Sequence, residues 1–199
     1  MLETDKHEAR RSAVAEAAAR VIARDGLERS TLRAIARELN LTTSVITHYF
    51  RDKEELMIFV SAFITERAKA RYERFTAGKT GLKRFERAVL AALPTDDESF
   101  LEWQVFTAFV GSSIGSERLL IEHRKRVAQS LEYIINDLKR LQLAGLIRKR
   151  IKLEPHAVCV LSLLDGFGIN TVLNPEQFGS KLYRRAVSAL IAEILHGLA

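Results

Sequence analysis

Apolar positions in this chain fall three and four residues apart almost from end to end, the spacing of one buried helical face. Val14, Ala18, Val21 and Ile22 open the pattern. Gly26 closes it after Asp25, since glycine readily takes the left-handed conformation beyond a helix. Ser30 or Thr31 can cap a short second helix with Leu32, Ile35, Ala36 and Leu39 on one face. Asn40 then stands where the chain must turn sharply, a position asparagine tolerates better than most residues. Thr42 is expected to cap a third helix whose Ile46, Tyr49 and Phe50 point inward. Asp52 and Glu55 have the spacing of a capping box and start a fourth helix, with Leu56, Phe59, Val60 and Phe63, ending near residue 77.

Gly78 and Gly81 break the fourth helix. Shorter helices are predicted over 82–92 and 97–111, divided by Pro94 and closed by the loop GSSIGS at 111–116. From Glu117 a long helix carries the seam Val127, Leu131, Ile134, Leu138 and Leu141, and Gly145 ends it. Pro155 suits the first turn of the next helix. There VCVLSLL is apolar nearly all round, so burial on both sides is expected. A last helix over 179–196 carries Tyr183, Val187, Leu190, Ile191 and Ile194. The fold class is therefore all-α. A three-helix unit at the N-terminus, residues 1–52, is joined through the fourth helix to a larger helical bundle, residues 53–199.

Composition changes this picture little. Of 199 residues, 47% are hydrophobic and 28% charged, an ordinary globular balance, and ten glycines with three prolines favour helices. The one cysteine, Cys159, has no second cysteine for an intramolecular disulfide or a metal cluster, and is read as a small packed residue. No apolar run approaches the roughly 18 residues that span a bilayer, and the N-terminus lacks the core of a signal peptide. A cytoplasmic protein with no membrane partner is expected. The net charge of +6 permits nucleic-acid binding without locating it, because residues 1–53 hold ten Lys or Arg against eight Asp or Glu.

The chemistry lies in the second and third helices. Two short helices joined by a tight turn, the second polar outward, form a helix-turn-helix whose second member fits the DNA major groove. Ile46 and Phe50 face the support. Thr43 and Thr47 lie on one outward stripe beside Ser44 and His48, and short hydroxyl side chains let the helix approach base edges closely. Tyr49 can offer its hydroxyl to phosphate. Lys53 joins a positive charge to the free N–H groups of a helix start.

Residues 30–56, STLRAIARELNLTTSVITHYFRDKEEL, resemble the DNA-binding segment of the TetR family of transcriptional repressors, through Ile35-Ala36, Tyr49-Phe50, Lys53 and Leu56 at fixed offsets. Asn40, Ser44 and Thr47 depart from the family's commonest residues there. ITHYFRDK is most similar to the choline-responsive BetI-type branch, and LLDGFGINTVLNPEQF, residues 163–178, is similar to that branch too. The resemblance implies a homodimer bound to a double-stranded operator and released by a small-molecule effector, with no cofactor. It implies that Thr42, Thr43, Ser44, Thr47 and His48 face the operator, with Thr31, Tyr49 and Lys53 on phosphates.

For the effector, FLEWQVFTAFV at 100–110 places Trp103 and Phe106 either in a bundle core or on a cavity wall, with Phe63 and Phe167 as weaker contacts. An aromatic wall could take a cation or stack a flat apolar molecule. Asp165 interrupts an apolar helix and must be solvated, paired with a basic side chain or met by a ligand. The run RKRIK, 148–152, reads as a solvated loop. Surplus apolar surface on the last two helices, together with the resemblance, places Cys159, Leu163, Leu190 and Ile194 in a dimer interface. No catalytic reading is expected: the five histidines, His7, His48, His123, His156 and His196, lack metal-ligand spacing, and no nucleophile elbow, P-loop or dinucleotide-binding loop occurs. Two rival readings stand beside the repressor: a DNA-binding regulator without a small-molecule effector, and a metabolite-binding helical protein with a vestigial head.

Overall fold

The computed structural model describes residues 3–178, 185–189, 191 and 192, with side chains from residue 8 onward. All regular structure among them is helical: α1 (Glu3–Asp25), α2 (Leu32–Glu38), α3 (Thr43–Tyr49), α4 (Lys53–Thr76), α5 (Gly81–Ala92), α6 (Asp97–Ser113), α7 (Glu117–Leu143) and α8 (Leu153–Leu173). Helix α6 runs two residues further than the sequence pattern indicated, taking Ser112 and Ser113 from the expected loop. Of the expected last helix, residues 185–189 and 191–192 are helical, while Leu190 and Ile194 lie outside the described residues.

The chain divides into two compact units, one of Met1–Arg67 with Leu101–His123, the other of Ala68–Phe100 with Arg124–Ala199. This division falls elsewhere than the sequence boundary at 52/53. The first fifteen residues of α4 and much of α6 belong with α1, α2 and α3.

In the first unit α1 buries Val14, Ala15, Ala18, Val21 and Ile22, and ends where Gly26 takes φ 75° and donates its N–H to Ile22 O at 3.0 Å. Thr31, not Ser30, caps α2: its Oγ1 accepts from Ala34 N at 3.1 Å, while buried Ser30 donates its hydroxyl to Gly26 O at 2.7 Å. Ile35 and Ala36 are buried beneath α2. Ile46 and Phe50, each 0% exposed, are buried beneath α3. Such burial is what stabilises helices of seven residues, since two turns of helix do not persist alone in water.

In the second unit Phe85, Val89, Leu93, Leu138, Leu141, Ile147, Leu153, Val160 and Leu164 form one apolar cluster with Val187 and Ile191. A polar tie is built into the same unit. Tyr72 donates its hydroxyl to Asp137 Oδ2 at 2.7 Å, and Arg84 donates to the Tyr72 oxygen at 3.1 Å and to Thr76 O at 3.0 Å. Burial, then the bond to Asp137, pushes the Tyr72 hydroxyl up to about 12, so it remains a proton donor to a buried carboxylate.

Three local expectations need correction. VCVLSLL is not buried on both sides: Val160 and Leu164 are, but Val158 and Leu163 are 52% and 40% exposed and Cys159 is exposed too, because one face of α8 meets the core of its own chain. Thr42 occupies the N-cap position of α3 with extended backbone, yet its hydroxyl caps nothing and hydrogen-bonds Ser44 Oγ at 2.8 Å instead. The capping box at α4 is half as expected. Asp52 Oδ1 accepts from Glu55 N at 2.7 Å, but Glu55 reaches back to Arg51 N at 2.9 Å, one residue before the cap.

Asn40 does make the turn between α2 and α3 at φ 55°, the one positive φ of a non-glycine residue among those described. A side chain with no local hydrogen-bonding capacity is strained there by about 1–2 kcal/mol. Asn40→Ala is therefore expected to lower the unfolding free energy by about 1 kcal/mol, and Asn40→Gly to leave it nearly unchanged. Urea denaturation of the three proteins checks this, and equal stability of the alanine and glycine variants would contradict it.

Candidate functional site

The turn at Leu39–Leu41 sets the placement of α3. Leu41 N–H donates to Ala36 O at 2.8 Å and Asn40 N–H to Arg37 O at 3.1 Å, so the chain reverses within a few residues of the end of α2. With Ile46 and Phe50 held inward, helical geometry sends the intervening side chains out: Thr42, Thr43, Ser44, Thr47 and His48 are all exposed, and Tyr49 is half-buried. The five exposed residues named from the sequence thus share one outward surface. Thr47 donates its hydroxyl to Ser44 O at 3.1 Å, and His48 meets Tyr49 edge to face, with ring centroids 5.4 Å apart. The hydroxyl of Thr43 has no such local bond, and its side chain stands open at the first turn.

Thr31 is exposed but its oxygen is engaged as the cap of α2, leaving its O–H free to donate outward. Lys53 stands at the start of α4, as expected, and has partners there that the sequence did not indicate. Its ammonium donates to Leu27 O at 2.5 Å and to Glu28 O at 3.2 Å, fastening the loop after α1 to the start of α4. That loop was not legible as a partner, because the bond spans 26 residues and involves carbonyls, which any sequence offers.

Sequence reasoning also passed over several cations. Arg33 and Arg37 are exposed on α2, and Arg51, immediately past α3, has a side chain 82% exposed while its Nε donates to Glu55 at 2.9 Å. The polar face of α2 carries the signal for the first two, since Arg33 and Arg37 are four residues apart. Arg118 on α7 donates Nη1 to Asp52 Oδ2 at 3.0 Å and to Glu54 Oε2 at 3.2 Å, clasping the elbow between α3 and α4. The bond to Glu55 N, then Arg118, holds the Asp52 carboxyl below the usual carboxylate range. At neutral pH Asp52 is thus ionised.

The aromatic residues expected to meet an effector are divided between the two units. In the first unit Trp103 and Phe106 are buried edge to face with ring centroids 5.1 Å apart, and the His123 ring stacks on Phe106 at 6.4 Å. Phe63 is half-buried with the Arg67 guanidinium 5.5 Å from its ring centroid, and Arg67 pairs at 3.3 Å with the buried carboxylate of Glu102. Rings beside a charged pair offer both stacking and ionic recognition, although the same contacts serve equally as core. Phe167 belongs to the second unit, packed against its apolar cluster. So does Asp165, whose carboxyl is pushed up by burial, against the attraction of the Arg126 guanidinium. Burial in turn lowers Arg126 to about 10. Among the described residues no group of three or more His, Cys, Asp or Glu is placed to hold a metal ion.

On α8 the exposed residues include the apolar or small Val158, Cys159, Ser162, Leu163 and Leu173, the last at 63%, together with the polar Glu154 and Asn170. The helix is long and apolar enough to cross a membrane by length and composition alone. Leu190 and Ile194, named with Cys159 and Leu163, lie outside the described residues.

Comparison with known proteins gives concordant matches. Residues 14–58 match the family described as bacterial regulatory proteins, tetR family, and residues 82–196 match the BetI-type transcriptional repressor C-terminal family. The HTH-type transcriptional regulator PksA of Bacillus subtilis (strain 168) is 24% identical over 189 residues, covering 94% of this chain and 91% of that protein. A transcriptional regulator from Rhodococcus sp. Rha1 superimposes with TM-score 0.83 at 23% identity, over 94% of this chain and 97% of the other. A regulator from Saccharomonospora viridis, solved in complex with choline, gives TM-score 0.80 at 21% identity, over 93% and 96% of the two chains.

Proposed function

Since the chain belongs to the TetR family of transcriptional regulators, in its BetI-type branch, we propose that it is a homodimeric repressor that binds a near-palindromic operator and leaves it when a small molecule binds. The observation that carries this reading is the outward surface of α3, where Thr42, Thr43, Ser44, Thr47 and His48 stand exposed over a fully buried Ile46 and Phe50. In the proposed complex α3 enters the major groove. Thr43, Thr47, Ser44 and His48 meet base edges and Thr42 lies at the rim. Tyr49 and the outward O–H of Thr31 contact phosphate, joined by the exposed Arg33, Arg37 and Arg51. Lys53 contributes at most the proton its two carbonyl bonds leave over, so its main part is to fix the loop before α2.

The dimer is proposed through the open face of α8. Val158, Leu163 and Leu173 expose apolar surface that a second copy, related by a two-fold axis, would bury around the small Cys159, Ser162 and Gly166. That burial also supports placing the protein in the cytoplasm, because it gives the apolar α8 a partner other than lipid. Two heads then read half-sites one or more turns apart, roughly 34 Å or a multiple.

Phe63, Trp103 and Phe106 are the proposed effector contacts, since they lie in one unit with α3 and α4. Phe167, partly buried against the second unit's cluster, stays a weaker proposed contact. An effector preferring one arrangement of α4 and α6 would shift the population away from the arrangement that fits DNA. The choline bound by the Saccharomonospora protein makes choline the first compound to try here. No catalytic step is proposed, in keeping with a family of regulators.

Three outcomes test the reading. In fluorescence-anisotropy titrations against a site selected from random DNA, Tyr49→Ala is expected to weaken binding to all sequences. Thr43→Ala is expected to change preference at particular base pairs, by about 1–3 kcal/mol at each. Identical effects of the two variants on every sequence would refute the division into phosphate and base contacts. In sedimentation at micromolar concentration the protein is expected to be a dimer and Leu163→Arg a folded monomer; a monomeric parent protein would remove the dimer. Trp103 is the sole tryptophan, so its emission reports the proposed effector site directly. A compound that releases the operator is expected to change that emission, and Trp103→Phe to weaken release while preserving operator binding. Release with unchanged emission and an unaffected Trp103→Phe would return Trp103 to the core alone.

A further inference from the structure

Helix α3 ends at Phe50, which is 0% exposed and serves as the C-cap, donating its N–H to Ile46 O at 3.0 Å. Its ring meets Phe59 of α4 with centroids 5.3 Å apart and planes inclined by 53°. A third group completes this cluster from α1. The guanidinium carbon of Arg11 lies 4.3 Å from the centroid of Phe59 and 5.4 Å from that of Phe50. Its side chain is 26% exposed, and the buried Nε–H has no hydrogen-bond acceptor among the described residues. The carboxylate paired with Arg11, Glu8, is at 3.8 Å and itself largely open to solvent.

A guanidinium in such a setting is held chiefly by the negative faces of the two rings. The arrangement differs from ordinary core packing in being directional. The aliphatic contacts of Val14, Ala18 and Val21 bury surface but tolerate sliding and rotation, whereas a planar cation seated over two inclined rings fixes their orientation. One of those rings is the last fixed point of the helix presented to DNA. Reading base edges requires side chains held to within about half an ångström, and α3, at seven residues, has little rigidity of its own.

We propose that Arg11 is a positioning residue for operator recognition: seated on Phe50 and Phe59, it sets the orientation of α3 from α1 and thereby sharpens base readout, without contacting DNA itself. This rests on the reading of α3 as the DNA-reading helix. A direct phosphate contact is the competing role for any arginine near such a helix, but here it would require the head to leave both rings.

The roles separate by measurement on the full-length protein, using its selected operator and a scrambled duplex over a range of salt concentrations. Arg11→Met keeps the apolar stem and removes the planar cation. Its operator affinity is expected to fall about tenfold while scrambled-DNA affinity and the salt slope stay as in the parent, so that the specificity ratio falls. Phe59→Leu, which leaves the charge in place but removes the nearer ring, is expected to reproduce that loss, and the double variant to be no worse than either single one. Phe59→Leu remains decisive if Arg11→Met does not fold at the assay temperature. A salt slope smaller by about one in Arg11→Met would make Arg11 a phosphate contact and overturn the proposal. A lowered Tm with an unchanged specificity ratio in either variant would reduce the cluster to packing and overturn it as well. No selectivity in the parent protein would instead sink the DNA reading of α3, and this proposal with it.

Discussion

A seven-residue helix cannot hold its own shape in water, and the first unit of this protein is organised around that constraint. Nucleating a helix costs more than two turns of hydrogen bonds return, so α3 exists because Ile46 and Phe50 are removed from solvent entirely. Burying Ile46 within the helix and Phe50 at its C-cap commits the other positions. With the inward positions occupied by large apolar groups, Thr43, Ser44, Thr47 and His48 have only the solvent side left. The exposed polar surface is a geometric consequence of how the helix is anchored, and its chemistry follows from which residues fill it.

The supports of that helix are of different strengths. At its start, Asn40 supplies the left-handed turn, and Thr42 leaves the cap position without a side-chain bond. At its end, Phe50 enters an aromatic cluster and the next residues form a dense polar elbow. Asp52 divides its two oxygens between the N–H of Glu55 and the guanidinium of Arg118, while Glu55 takes both the backbone and the side chain of Arg51. Each exposed ion pair there is individually weak in water, but four charged groups sharing partners define a geometry better than any one pair. The end of α3 is thus better determined than its beginning.

What the sequence disclosed about this arrangement depended on how local the responsible interaction is. Helix spans were legible because the periodicity of Val14 to Ile22 or Val127 to Leu141 is a short-range signal, and the turn at Asn40 was legible because few residues tolerate its φ. The outward stripe of α3 followed from the same periodicity. The carbonyl partners of Lys53 were not legible, because main-chain oxygens 25 and 26 residues away leave no trace in residue type. Arg11 and Arg118 were invisible for a related reason: their partners Phe59 and Asp52 lie 48 and 66 positions distant. Within this chain VCVLSLL is buried on one face only, because apolar composition records how much surface must be covered and not by which chain.

That last point bears on how α3 and α8 differ. In α3 the polar residues face out and the apolar ones are satisfied within the chain, so the helix is finished as a structure and open as a recognition surface. In α8 the reverse holds: Leu153, Val160 and Leu164 are satisfied within the chain, and Val158, Leu163 and Leu173 remain as apolar surface. Exposed apolar residues scattered singly are ordinary, but several on one helix beside small residues leave surface that a second helix could cover. A polar stripe over a rigid core suits a partner met reversibly and read by hydrogen bonds. An apolar stripe suits a permanent partner that excludes water. On the proposed function, one chain carrying both would be assembled once through α8 and would bind and release many times through α3.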